Sequence, residues 1–169
     1  MSQTAANIHL QAIDHSGATN TLEKTIQVAP ESEDIRRMLL SLYVKQKREN
    51  SAIEFLLSRC NQSSNPYNAN MELGVFNMKV RKLDVAERAL RKAISLSPNQ
   101  SEAYSLLSQI QMTKPNEVQL AVESAKRALS LSPLASNHYI LATAMYHAKD
   151  MAGAKTELIE AIRLEPSNT

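Results

Sequence analysis

Histidine and cysteine side chains are the groups in this sequence that could bind a metal ion or act as nucleophiles. The histidines are His9, His15, His138 and His147, and the only cysteine is Cys60. His138 and His147 are nine residues apart on one predicted helix, which puts them on different faces rather than at metal-ligand spacing. Because no histidine or second cysteine is placed to activate Cys60, its thiol is predicted to be structural. We expect no metal site.

The sequence lacks the other common catalytic patterns. It has no glycine-rich phosphate loop, no serine nucleophile elbow and no cysteine pair. Carboxylates at helical spacing stand among lysines and arginines, as on solvated helix surfaces. They include Glu87, Glu123, Glu157 and Glu160. The sequence therefore predicts a protein that is not an enzyme and has no cofactor.

Clustered basic residues raise nucleic-acid binding as an alternative. The two clusters are Arg36, Arg37, Lys45, Lys47 and Arg48, then Lys79, Arg81, Lys82, Arg88, Arg91 and Lys92. The formal net charge is only +2, aromatic residues make up 4% of the chain, and tryptophan is absent. A surface that follows phosphates usually carries a stronger basic stripe, with aromatic rings for single strands. Nucleic acid is therefore the less favoured partner.

A period of about 34 residues organises the elements that carry these side chains. One set of leucines is spaced by 34, 34 and 34 residues: Leu39, Leu73, Leu107 and Leu141. A set of alanines follows at spacings of 34, 35 and 33 residues: Ala52, Ala86, Ala121 and Ala154. Three units close on Pro98, Pro133 and Pro166. Such a period is typical of stacked helical repeats, in which no unit buries its apolar face alone.

The unit 68–98 resembles the tetratricopeptide repeat. The residues that carry the resemblance are Leu73, Gly74, Ala86, Leu90, Ala93 and Pro98. The next unit has Leu107, Ser108, Ala121, Ala125, Ala128 and Pro133 at these places, and the last has Leu141, Ala142, Ala154, Leu158, Ala161 and Pro166. A looser unit keeps Leu39, Leu40, Tyr43, Ala52 and Leu56 but has Arg59 and Ser64 in place of alanine and proline.

The resemblance implies an all-α fold, a right-handed α-solenoid of antiparallel helix pairs. The expected repeats are residues 33–66, 67–100, 101–134 and 135–169, preceded by a degenerate first repeat or amino-terminal cap at 1–32, all in one solenoid domain. Small residues at Gly74 and Ala86 are expected where the two helices of one pair approach most closely.

The resemblance also implies a concave groove, lined by first helices, that binds a peptide or a partner helix. The positions carried over are Arg37, Ser41, Val44, Lys45, Met71, Val75, Met78, Lys79, Ser105, Gln109, Met112, Tyr139, Thr143, Tyr146 and His147. The alternative for Met71, Val75 and Met78 is that they merely cover neighbouring helices. We expect a non-catalytic protein-interaction scaffold. The alternatives are a nucleic-acid-associated helical repeat and a regulatory segment of a larger protein.

The two ends of the sequence carry further expectations. The start lacks a basic-then-apolar signal peptide, and no apolar run is long enough to span a membrane. A cytoplasmic location is therefore favoured, with export as the alternative. In the last helix, Leu158 and Ala161 are expected to pack inward, leaving Ile159 and Ile162 exposed. That stripe suggests either that the natural protein continues beyond Thr169 or that the carboxyl-terminal helix packs against another chain, which could be a second copy.

Overall fold

The computed structural model describes residues 17–166, and the chain falls into two compact units, Met1–Ser64 and Asn65–Thr169. Residues 1–16, which hold His9, His15 and the first half of the predicted cap, lie outside the described residues, as do residues 167–169. The regular secondary structure of residues 17–166 is helical, and no strand occurs within this range. The predicted all-α fold is confirmed.

The first unit contains three helices in its described part. They are α1 at 17–28, α2 at Glu33–Lys45 and α3 at Glu49–Gln62. Leu39 of α2 and Leu56 of α3 are fully buried. Arg59, which replaces the alanine of the repeat pattern, is buried as well. Its guanidinium donates a hydrogen bond to the Pro30 carbonyl oxygen and lies 3.5 Å from the Glu31 carboxylate. Polar contacts therefore tie α3 to the α1–α2 connection.

The second unit contains six α-helices in three pairs over residues 65–166. They are α4 at Pro66–Lys79 with α5 at Leu83–Leu96, α6 at Ser101–Met112 with α7 at Val118–Leu131, and α8 at Ala135–His147 with α9 at Met151–Leu164. A short 3₁₀ helix, Pro115–Glu117, precedes α7. The short connection within each pair makes its helices antiparallel. The first helix of a pair also packs on the second helix of the pair before it, α6 on α5 and α8 on α7.

A residue with a left-handed backbone conformation follows the first helix in three of the helix pairs. Lys47, Arg81 and Lys149 have φ angles of 57°, 62° and 67°. In each turn the next backbone N–H returns to a carbonyl five residues back, as from Lys82 N to Asn77 O at 2.9 Å. This bond satisfies a carbonyl that the helix end would otherwise leave open. The recurrence of this turn reflects the 34-residue period.

The closest approach within a pair is set by the sizes of two facing residues. A methyl group added to Gly74 would lie 2.8 Å from Cδ2 of Leu90, whose side chain is fully buried. In the next pair, Ser108 takes the glycine's place and Ala125 the leucine's. The Ser108 hydroxyl donates a 2.8 Å hydrogen bond to the carbonyl oxygen of Ala121. A larger residue on the first helix therefore goes with a smaller one on the second.

A charged cluster joins the α4–α5 pair to the α6–α7 pair. Lys114, which follows α6, lies 2.6 Å from the Glu87 carboxylate of α5. Burial alone would raise the pKa of Glu87, but hydrogen bonds from Lys114 and Arg91 outweigh it and lower that pKa below its usual value. The hydrogen bond with Glu87 in turn raises the pKa of Lys114. Both groups are therefore charged at neutral pH.

Gly74→Ala should destabilise the second unit by about 1–3 kcal/mol, because the added methyl group would overpack the contact with Leu90. The matched control is Gly17→Ala, where an added Cβ meets nothing within 4 Å. Chemical denaturation measures both changes. In a Leu90→Ala background the Gly74→Ala penalty should vanish, since the two sites are coupled. Equal penalties in both backgrounds would contradict this contact.

Candidate functional site

An apolar groove of roughly 670 Å³ opens at the carboxyl-terminal side of the second unit. Its lining residues come from α6, α8 and α9. They are Gln109, Met112, Ala135, Ser136, Tyr139, Ile140, Thr143, Leu158, Ala161, Ile162 and Glu165. This volume lies in the range of ordinary ligand pockets, and such pockets are mostly apolar with a few polar groups. Gln109, Met112, Tyr139 and Thr143 were among the positions indicated by the sequence.

Two tyrosines of α8 are exposed, and of these Tyr139 lines the groove, whereas Tyr146 does not belong to its lining. Tyr139 and Tyr146 are 60% and 59% exposed, and with Thr143 they follow one stripe of the helix. The Thr143 hydroxyl donates to the Tyr139 carbonyl oxygen at 2.8 Å, so one of its hydrogen bonds stays within α8. The His147 ring meets the Tyr146 ring edge-on, with centroids 6.0 Å apart. These rings offer apolar area with hydroxyl groups at the rim.

Met71 and Ser105 were expected on the groove surface, and this expectation is wrong, because both are buried. Met71 is 7% exposed and belongs to a core cluster with Leu90, Ala103 and Ile110. The reason is that the first helices also pack against each other, with α6 against both α4 and α8. Each first helix therefore covers a face of its neighbour that would be exposed if that neighbour were an isolated helix. The equivalent position in α8 is Tyr139, which no described helix covers.

The remaining central positions are split between packing and surface. Val75 and Met78 are half-buried, and Met78 packs against the same core cluster as Met71. Lys79 is exposed at the end of α4. The packing alternative therefore describes the methionines of α4 better than an exposed apolar stripe does.

In the first unit, the indicated positions lie on a separate cavity. Arg37, Ser41 and Lys45 line it together with apolar residues of α1 and α2, Leu22 and Met38 among them. Val44 is exposed but does not belong to that lining. The Arg37 guanidinium is 2.5 Å from the Glu33 carboxylate one turn earlier. Part of the basic character expected here is therefore neutralised within α2.

Several groove residues were missed by the sequence reasoning. Ile140 and Ser136 lie beside Tyr139 on α8, where the repeat pattern carries no signal for them. Leu158 and Ile162 come from α9, a second helix, whereas the carried-over groove used first helices alone. Leu158 was expected to pack inward, but it is 42% exposed. Within the described residues, no further helix packs on α9, whereas α6 packs on α5 and α8 packs on α7.

Chemical groups beside the groove are few. The His138 Nδ1 atom lies 2.7 Å from the Glu157 carboxylate and joins α8 to α9. Within residues 17–166, no three histidine, cysteine or acidic side chains cluster as a metal site would require. No helix in that range is both long and apolar enough to cross a membrane. Cys60 is half-buried in α3.

Comparison with known proteins agrees with this geometry. The tetratricopeptide repeat family model matches residues 67–100. The crystal structure of MamA is 22% identical with a TM-score of 0.70, covering 92% of this chain and 91% of that one. YrrB, described as a TPR protein with an unusual peptide-binding site, is 16% identical with a TM-score of 0.68, covering 96% and 84%.

A third similar structure is TTC0263, a thermophilic TPR protein in Thermus thermophilus. It is 16% identical with a TM-score of 0.68, covering 97% of this chain and 90% of that chain. No curated protein sequence matches the chain. The helix pairs and their packing define a helical-repeat protein. With the match at 67–100, the predicted resemblance to the tetratricopeptide repeat is confirmed.

Ser105→Ala should lower the free energy of unfolding by about 1–3 kcal/mol, because a buried acceptor would lose its donor. The Ser105 hydroxyl donates to Oδ1 of Asn137 at 2.7 Å, which links α6 to α8. The control is Ser130→Ala, which removes an exposed hydroxyl bonded only to its own helix. Urea denaturation distinguishes the two. A stability of Ser105→Ala equal to that of the control would show that Ser105 does not join these helices.

Proposed function

We propose that this protein is a non-catalytic interaction scaffold that binds an extended peptide or a partner helix along the α8 wall of the groove. The exposure of Tyr139 in the groove lining carries this proposal, and the exposed Tyr146 extends the same stripe of α8 beyond the lining. Tyrosine combines a large rigid contact area with a hydroxyl group, and it is enriched among the residues that dominate binding energy. Two such residues on one helix stripe are a suitable anchor for a ligand side chain.

The other groove residues favour a ligand with apolar side chains. Met112 and Ile140 form the apolar floor between α6 and α8, and methionine adapts to ligand side chains of varied shape. Gln109 can donate and accept hydrogen bonds with a peptide backbone. Glu165 places a carboxylate at the α9 end of the lining. We therefore propose a mainly apolar peptide whose basic end lies toward Glu165.

The family relationship supports the same function. Tetratricopeptide-repeat proteins generally act as non-catalytic scaffolds that bind protein or peptide partners, and YrrB is described as having a peptide-binding site. The described residues hold no metal-binding cluster. A scaffold of this kind needs only the contact surface that the groove supplies. The self-association expected of the carboxyl-terminal helix also remains a proposal, and Ile162, one of the residues expected to carry it, lines the groove.

Replacing Tyr139 and Tyr146 by glutamate should weaken peptide binding by roughly tenfold or more, because both anchors would become charged. Peptides would first be selected on the whole protein from a random display library, then measured by fluorescence anisotropy. Met78 is unsuitable for this test, since it packs on the core.

The control for this experiment is Leu120→Glu, which puts one of the two added negative charges on an exposed leucine of α7 away from the groove. Circular dichroism checks that each variant keeps its helices. Selected peptides that bind the tyrosine variant as well as the unaltered protein would contradict the proposed groove, as would a library that yields no binding peptide.

A further inference from the structure

A cavity of roughly 900 Å³ opens between α1 and α2 in the first unit. Its apolar lining includes Leu22 of α1 with Met38 and Leu42 of α2. Met38 is 58% exposed, and the other two side chains are half-buried. The cavity shares no lining residue with the groove proposed for a peptide. Exposed apolar side chains that lie together usually mark a contact surface.

The α2 wall of this cavity corresponds to a surface that the second unit covers with a first helix. Two 34-residue periods separate Met38 from Leu106 of α6, and Leu42 from Ile110. Ile110 is 1% exposed and belongs to a core cluster that Leu106 also contacts. Met78 of α4 packs on the same cluster. In the second unit, the first helix of the preceding pair therefore covers the side chains that are equivalent to those of the α2 wall.

The α1 wall of the cavity corresponds to another surface that α4 covers. Ala18 and Leu22 of α1 lie two periods before Ala86 and Leu90 of α5. Ala86 and Leu90 are fully buried, and Leu90 fills the space that Gly74 of α4 leaves. Ala18 and Leu22 are only half-buried. The two walls therefore match the two surfaces that α4 contacts, and the occupant that fits them is a first helix paired with α1.

We propose that residues 3–13 of this chain fill the cavity as the first helix of a pair with α1. This segment lies outside the described residues, and residues 14–16 join it to α1. Two periods before Gly74 and Met78 of α4, it carries Ala6 and Leu10. Leu10 covers the α2 wall as Met78 covers α6, and the small Ala6 lies where the segment approaches α1 most closely. Burial of these apolar side chains favours the closed cavity.

The connection between this segment and α1 matches a turn in the second unit. Asp150 precedes α9, and its carboxylate accepts a hydrogen bond from the Gly153 backbone N–H at 2.9 Å. Four periods earlier, the sequence has Asp14 and Gly17 at the same separation. An aspartate at this place satisfies a backbone donor in the first turn of the helix that follows. Because the turn at Asp150 joins two antiparallel helices, the same residues before α1 favour an antiparallel pair.

Charge also suits this occupant. Residues 1–16 contain no lysine or arginine, whereas the exposed side chains of Arg37 and Lys45 belong to the cavity lining. The segment therefore brings no further lysine or arginine toward these like charges. A cavity filled in this way does not serve as a second peptide site, which leaves peptide binding to the groove of the second unit.

Disulfide trapping tests this placement on the whole chain without any peptide, so its failure leaves the proposed peptide groove to its own experiment. In a Cys60→Ser background, Leu10→Cys with Met38→Cys should form a disulfide within one chain roughly tenfold faster than Leu10→Cys with Leu57→Cys. Leu57 is 46% exposed on α3 and does not line the cavity. Mass spectrometry follows both pairs during mild oxidation of dilute protein. In concentrated urea the two rates should come within about threefold of each other, because only chain length then separates the cysteines.

Methyl signals in nuclear magnetic resonance spectra give a second readout that needs no added cysteine. Leu10→Asp should shift the methyl signals of Met38 and Leu42, because a charge replaces the apolar side chain that covers them. Gln11→Asp is the matched control and should leave these signals in place, since Lys79, the equivalent residue of α4, is exposed. Circular dichroism checks that each variant keeps its helices.

The placement is supported if the Met38 pair reacts faster within one chain and only Leu10→Asp shifts the methyl signals. It is overturned if the two cysteine pairs react at equal rates in the folded protein, or if Leu10→Asp shifts nothing. A disulfide that joins two chains would also overturn it, because a second copy would then occupy the cavity. An equal effect of Gln11→Asp would overturn the register.

Discussion

The close approach of the two helices in each pair is the contact on which the other packing depends. At its tightest point, Gly74 of α4 leaves the space that the Leu90 side chain fills, with no room for a methyl group. In the α6–α7 pair, the first helix has the larger Ser108 in place of glycine, and the second helix has the smaller Ala125 in place of leucine. The distance between the two helices of a pair sets the width of the surface on which the first helix of the next pair packs.

The proposed binding groove lies at α6, α8 and α9, and its residues differ in exposure from the equivalent residues of the other helices. In α4, Met71 is covered by α6, whereas the equivalent Tyr139 of α8 is 60% exposed. In α5, Leu90 is fully buried, whereas the equivalent Leu158 of α9 lies partly outside the core. Register positions that are buried in α4 and α5 are therefore exposed on α8 and α9, where we propose that a ligand binds. The residue types follow this change, from methionine and serine inside to tyrosine at the groove.

The helix pairs could be predicted from the sequence because the 34-residue period repeats the leucine, small-residue and proline positions together. Four residues of the groove could also be predicted, because they share one face of the first helix in their repeat. They are Gln109, Met112, Tyr139 and Thr143. The burial of Met71 and Ser105 could not, since it depends on how neighbouring first helices contact each other. The exposure of Leu158 could not be predicted either. A pattern that equates Leu158 with the fully buried Leu90 does not take account of α6, which packs on α5.

The central claim is that ligands bind at the groove between α6, α8 and α9. Nuclear magnetic resonance of the whole labelled chain, titrated with a selected peptide, tests it most directly. The account predicts that the largest chemical-shift changes fall on Gln109, Met112, Tyr139 and Thr143. Changes confined to the basic outer face of α5, at Arg88 and Lys92, would contradict it.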